Sequence, residues 1–214
     1  MSTAAVHAPC TLTGMRALHD SFVLFPGPEP GRPGCRVFAN TRSLYSVRLW
    51  GPLHPLWADR FTRGLSNVGI SILNGFARQE SSGSWGAEFL VTPVPGASDP
   101  ETIDYISLTQ EPPPPHAPPL LLDGFDVDGS PERGGFLYLE VRGPDRVGFL
   151  GSLLRTVSEL GLVPREMWVA TRFGEACDRF LLNSADGRSP TDGEPEALEA
   201  ALDAHRQRRE ALSA

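Results

Sequence analysis

The stretch LEVRGPDRVGFLGSLLRTVSELGL (Leu139–Leu162) decides the fold, because a strand, a turn and a helix follow one another within it. Apolar and polar residues alternate up to Arg142, which predicts a half-buried strand. A Gly-Pro pair stops the strand, and Asp145 is expected to cap the helix that follows. Apolar residues then recur at helical spacing, and Gly161 suits the left-handed turn that ends a helix.

Two strand-like runs and a long helix come after this stretch. REMWVATRF and EACDRFLLNS predict two strands joined by a turn at Gly174-Glu175. EPEALEAALDAHRQRREAL predicts a helix with Pro195 in its first turn. The second half of the chain therefore has the order strand, helix, strand, strand, helix.

The first half repeats this order at an offset of 92 residues. The aligned pairs share apolar or turn character: Gly51 with Gly143, Pro52 with Pro144, Phe61 with Leu153, Leu65 with Val157, Val68 with Leu160, and Gly69 with Gly161. Its predicted elements are SLYSVRLW, LWADRFTRGLSNVG, ISILNGFARQ, WGAEFLVTP, PETIDYISL and a last strand in PPLLLDGF (Pro118–Phe125). With that last strand, the order is the βαββαβ of a ferredoxin-like unit.

We therefore predict an α+β protein of two ferredoxin-like units, with antiparallel sheets and helices on one face. Gly- and Pro-rich segments divide it into an N-terminal extension (1–40), a first unit (41–125), a linker (126–134) and a second unit (135–214). The second unit has no strand after its helix, which leaves a sheet edge to be covered. We expect Ser21–Phe25 or Arg36–Phe38 to supply the strand, with Leu120–Phe125 as the competing donor.

Composition excludes several classes of function. The net charge of −7 argues against nucleic acid or an anionic membrane as a partner. All 19 basic residues are Arg, so a Schiff-base lysine and a lysine-anchored cofactor are excluded. The three cysteines and five histidines are scattered, and we expect no cofactor and no metal. We expect a cytoplasmic protein that is not an enzyme.

The second unit closely resembles an ACT domain, of the tandem kind found at the C-terminus of nitrogen-sensing uridylyltransferases and in glycine-cleavage-type regulators. The residues that carry the resemblance are Asp145-Arg146-x-Gly148, Glu159-Leu160-Gly161, Ala170-Thr171, Asp178 with Phe180, and Asp186-Gly187. In the first unit GPLHPLWADR replaces the Asp-Arg-x-Gly loop, so the resemblance there depends on the internal repeat.

The resemblance implies regulation, because ACT domains typically bind an amino acid or another small metabolite and pass that binding to an enzyme or partner. The implied ligand-binding residues are those of one loop: Asp145, Arg146, Val147, Gly148, Phe149 and Leu150. The chemistry suits an amino acid, since the first N–H groups of a helix hold a carboxylate and Asp145 can accept a hydrogen bond from an ammonium group. A strand of the neighbouring unit is expected to close the pocket.

The sequence thus predicts a homodimeric, amino-acid-sensing regulator with one site per chain or none. The alternative is a ligand-independent dimerisation or protein-interaction module acting on a partner enzyme. A small enzyme on a ferredoxin-like scaffold is a third class, which no residue constellation supports.

Overall fold

The computed structural model describes residues 31–112 and 118–213. Its first half contains β1 (Gly34–Ala39), β2 (Tyr45–Gly51), α1 (Trp57–Asn67), β3 (Ile70–Gln79), β4 (Trp85–Pro93), a 3-10 turn (Pro100–Thr102) and α2 (Tyr105–Gln110). Its second half contains β5 (Gly124–Asp128), a 3-10 turn (Pro131–Arg133), β6 (Leu137–Pro144), α3 (Phe149–Glu159), β7 (Leu162–Arg172), β8 (Glu175–Ser184) and α4 (Gly193–Ser213).

All eight strands form one antiparallel sheet in the order β1-β2-β4-β3-β7-β8-β6-β5. The two halves join at its centre, where Asn74–Arg78 of β3 lies opposite Glu166–Ala170 of β7. Each half is a four-stranded unit with helical crossovers. The prediction of an α+β fold with two ferredoxin-like units is therefore confirmed.

One hydrophobic core runs beneath the helices of both units. Alternate residues of the strands face it, as in β2, where Val47 and Leu49 are buried and Arg48 between them is half-exposed. The helices contribute the apolar residues that recur at helical spacing: Trp57, Phe61, Leu65, Leu153, Leu154 and Val157. Within the described ranges, no helix has both the length and the apolar character needed to cross a membrane.

The internal repeat is visible in the element boundaries. β2 and β6, α1 and α3, and β3 and β7 begin 92 positions apart, at Tyr45 and Leu137, Trp57 and Phe149, and Ile70 and Leu162. Both helices end at a glycine with positive φ, 76° at Gly69 and 75° at Gly161, as the left-handed stop predicted. The two units are therefore related by an approximate symmetry that makes their loops directly comparable.

The edge strands differ from the prediction. Arg36–Phe38 lies in β1 and pairs with β2, so it completes the first unit and not the second. The second unit is completed by β5, which pairs with β6 and overlaps the competing donor Leu120–Phe125. Ser21–Phe25 lies outside the described residues. The error arose because a short alternating segment shows that a strand exists but not which sheet edge it joins.

The strand predicted as the last of the first unit therefore belongs to the second unit. Pro118–Phe125 leads into the far edge of the second unit, so the predicted boundary at residue 125 falls within β5. On the way, Leu120 and Leu122 are buried in the common core. The carbonyl of Pro118 accepts a hydrogen bond from the Ser152 hydroxyl, 2.7 Å away, at the start of α3. The connection between the units thus passes beside the loop that the sequence singles out.

Candidate functional site

Gly148, and not Asp145, is the N-cap residue of α3. Its φ of 91° is a left-handed conformation that favours glycine. A Cβ atom there would lie 2.6 Å from Pro118 Cγ and 2.8 Å from Ser66 Oγ. The capping role predicted for Asp145 is therefore wrong, because the loop turns through Gly148 and the Asp145 carboxylate interacts with Thr171.

The six residues predicted from the loop all line one solvent-open cleft. The first unit forms one wall with the start of β3, Ile70–Ile72, and with Thr62 of α1. The second unit forms the floor with the facing ends of β7 and β8. The cleft therefore lies between the units and exists only because β3 and β7 are neighbours in the sheet.

One end of the cleft is suited to an anion. The Phe149 N–H donates to the Arg146 carbonyl at 2.9 Å, and the Ser152 N–H donates to the Gly148 carbonyl at 2.9 Å. The amides of Leu150 and Gly151 between them belong to the first turn, where a helix offers no acceptor of its own. These N–H groups lie at the positive end of the α3 dipole, which attracts a carboxylate.

The floor of the cleft is acidic. Asp178 on β8 lines it with only 3% of its surface exposed, and its Oδ1 accepts a hydrogen bond from the Ala170 N–H at 3.2 Å. Burial, reinforced by the charge of nearby Asp145, raises the pKa of Asp178 to about 8. Burial also raises the pKa of Asp145, against the hydrogen bond from Thr171, which lowers it. Two carboxyl groups therefore share a poorly hydrated space next to a helix N-terminus.

Asp178 and Ile70–Ile72 are absent from the predicted binding residues, although a strand of the neighbouring unit was expected to close the pocket. Asp178 carried part of the family resemblance, yet its position among alternating core residues of β8 is the signal that it faces inward. Ile70–Ile72 belongs to the other unit, and only the pairing of β3 with β7 brings it to the loop.

A second, smaller cleft occupies the symmetry-related place in the first unit. It is lined by Pro55, Leu56, Ala58, Asp59, Leu154, Ser158, Leu162, Val163 and Pro164. The 92-residue offset puts Leu53 at the position of Asp145. In the strand pairing, Ala87 opposite Leu49 matches Asp178 opposite Val141. The positions equivalent to Asp145 and Asp178 are thus occupied by apolar residues in the first unit, and neither residue lines the smaller cleft.

The smaller cleft contains an ion pair of its own. Asp59 lies 3.6 Å from Arg63 on the same helix, and both side chains are 11% exposed. Burial raises the pKa of Asp59, while the charge of Arg63 lowers it. The smaller cleft therefore contains one buried carboxyl group, and an arginine of the same helix lies beside it.

His54, in the loop of the first unit, is exposed, and its ring nitrogen accepts a hydrogen bond from the Leu56 N–H at 3.0 Å. No group of three or more His, Cys, Asp or Glu side chains in the described ranges is arranged to hold a metal ion.

No protein-family profile matches the sequence. No curated protein matches it either. Among solved structures, the chain is similar to aspartate kinase from Synechocystis, with a TM-score of 0.43 and 15% identity over 76% of this chain. The match covers 26% of that protein, so the chain spans about a quarter of its length.

Proposed function

We propose that this protein is a non-catalytic regulator of the tandem ACT type, which binds an amino acid in the cleft between its two units. The observation that carries the proposal is that one cleft contains both a place suited to an anion and a place suited to a cation. The amides at the start of α3 suit the ligand carboxylate, and Asp145 suits its ammonium group. A free amino acid carries these two groups on one carbon atom, so it can satisfy both ends of the cleft.

The arrangement also supports a regulatory role. A ligand in this cleft would contact both units at once, because the loop and α3 belong to one and Ile70–Ile72 to the other. Any ligand that binds only when the two walls are correctly spaced stabilises that spacing. A partner enzyme that recognises the spacing would then respond to the ligand. We infer that such a partner and a homodimer complete the working assembly.

A thermal-shift screen against the twenty amino acids tests the proposal. A ligand at about 100 times its Kd stabilises the folded protein by about 2.7 kcal/mol, which raises the Tm by about 5–10 °C in a chain of this size. Asp145→Asn keeps the shape of the side chain and removes its charge, so it should weaken binding about tenfold or more. The matched control is Asp126→Asn, the same change at an exposed position on β5.

Equal weakening in Asp145→Asn and Asp126→Asn would place the ligand outside this cleft. A screen without any shift would contradict ligand sensing by this class of compound.

Titration calorimetry should give one ligand per chain. The first unit has Leu53 and Ala87 at the positions of Asp145 and Asp178. The one carboxyl group that lines the smaller cleft, Asp59, lies 3.6 Å from Arg63, whose positive charge repels an ammonium group. Two equivalent sites per chain would show instead that these carboxyl groups do not define the site.

A second candidate function, a ligand-independent interaction module, is favoured by the face of the sheet opposite the core. Phe38 is 37% exposed there, and Trp168 packs against Phe76 with ring centres 5.6 Å apart. Aromatic groups on a sheet face are common in protein interfaces. This candidate predicts that no amino acid shifts the Tm in the screen, and that the protein forms a stable dimer or binds a partner protein.

A further inference from the structure

An amino acid held by Asp145 and by the start of α3 needs only one carboxyl group of the protein. The larger cleft contains two. Asp178 is almost fully buried, and its one described hydrogen bond comes from the Ala170 N–H. A buried carboxyl with so few partners destabilises the folded protein, because it has exchanged water for a less polar environment.

The fold itself does not require an acid at this position. The first unit has the same strand arrangement with Ala87 there, between the buried residues Trp85 and Phe89. The sheet forms equally well around that alanine. Asp178 lines the cleft, and the sheet does not need an acid at this position. Its role therefore lies in the cleft and not in folding.

We propose that Asp178 and Asp145 together receive the ammonium group of the ligand, and that Asp178 loses its proton to solvent as the ligand enters. Binding would then release one proton per chain and strengthen as the pH rises. This inference rests on the proposed function, because it takes the ligand to carry an ammonium group. It adds a specificity determinant and a sensitivity to pH.

The direction of the pH dependence follows from the groups that face Asp178. The charged side chains lining the cleft in the described ranges are Asp145, Arg146 and Asp178, and Arg146 is exposed. The residues that β7, α3 and the first unit contribute to the lining are uncharged. An arriving ammonium group therefore provides the stabilisation that the Asp178 carboxylate lacks in the empty cleft.

Because burial raises the pKa of Asp178 to about 8, the empty cleft holds this group in its neutral form near about pH 6–7. A ligand that requires the ionised form must displace the proton. Its Kd then falls by about tenfold for each pH unit in this range, since one proton is released for each ligand bound.

The experiment is calorimetric titration with the L-amino acid that gives the largest shift in the screen, at about pH 6 and about pH 7. The wild-type protein should bind about tenfold more tightly at the higher pH. Heats measured in two buffers of different ionisation enthalpy should show release of about one proton per chain. Asp178→Asn should still bind, with a Kd that no longer changes over this interval. Asp126→Asn should behave as the wild type does.

Each other outcome overturns a specific part of the account. A wild-type Kd that is the same at both values of pH, or a pH dependence that survives in Asp178→Asn, overturns the role of Asp178 and leaves the proposed function standing. Equal binding of the des-amino acid with the same side chain overturns the ammonium contact. A screen in which no amino acid binds overturns the proposed function and this inference with it.

Discussion

Replacing Asp178 with asparagine should stabilise the ligand-free protein increasingly as the pH rises. The carboxyl pKa is raised from 3.8 to about 8 in the folded state, so folding takes up a proton between these values. The free energy of unfolding of the wild type therefore loses a contribution as the pH rises through this window, and the loss levels off above about pH 8. Asparagine stays neutral, and its Oδ1 can still accept the hydrogen bond from Ala170.

The expected gain of Asp178→Asn over the wild type grows by about 1.4 kcal/mol for each pH unit between roughly pH 5 and pH 7. Urea unfolding at a series of pH values measures it. The matched control is Asp126→Asn, which makes the same change at an exposed position and leaves the buried carboxyl in place. Parallel stability curves for the wild type and Asp178→Asn would show that the carboxyl is not held neutral by the fold.

Trp57→Ala should destabilise the protein by about 3–5 kcal/mol. The indole ring is fully buried at the start of α1, with ring centres 5.1 Å from Trp85, 6.0 Å from Phe61 and 6.4 Å from Phe89. Removing it leaves a cavity between the helix and β4 that neighbouring rings can fill only in part. Urea or thermal unfolding measures the loss.

Trp57→Phe is the matched variant and should lose much less. It keeps a ring in the cluster, and Phe149 is the residue at the same place in the second unit. It also removes the Trp57 Nε1 donor, which is buried without an acceptor among the described residues. Equal losses for the two variants would contradict the view that ring packing, and not the indole N–H, holds α1 on the sheet.

The interior of each unit could be predicted from the sequence because its signals are local. The alternation in β6, the helical spacing in α3 and the glycine stop at Gly161 each lie within one short segment. The offset of 92 residues then transferred this interpretation to the first unit, where β3 and β4 begin and end as predicted.

The errors concern features that depend on distant parts of the chain. The sheet edges at which β1 and β5 pair depend on the path of the connecting segments across the molecule. The alternation of apolar and polar residues does not show that path. The cap of α3 was misplaced because Asp145 has an ordinary capping residue type, whereas the loop needs a positive φ that only Gly148 provides without strain.

The candidate site was predictable in its loop and in the expectation that a strand of the neighbouring unit closes it, but the residues of its other walls were not predictable. The residues from Asp145 to Leu150 are consecutive in the sequence, and all of them line the cleft. Asp178 reaches the same cleft from a strand that pairs with β6, and Ile70–Ile72 reaches it from the other unit. No spacing rule connects these segments before the sheet is formed.

The central claim is that an amino acid binds between the units, at the start of α3. Its most direct test is the change in backbone amide NMR signals when the amino acid selected by the screen is added to isotope-labelled protein. The account predicts that the largest changes fall on Gly148, Leu150 and Gly151 and on Ser71 and Ile72 across the cleft. The amides of Leu56 and Val163 in the smaller cleft should change little. Changes centred on the smaller cleft or the open sheet face, or no change at saturation, would contradict the claim.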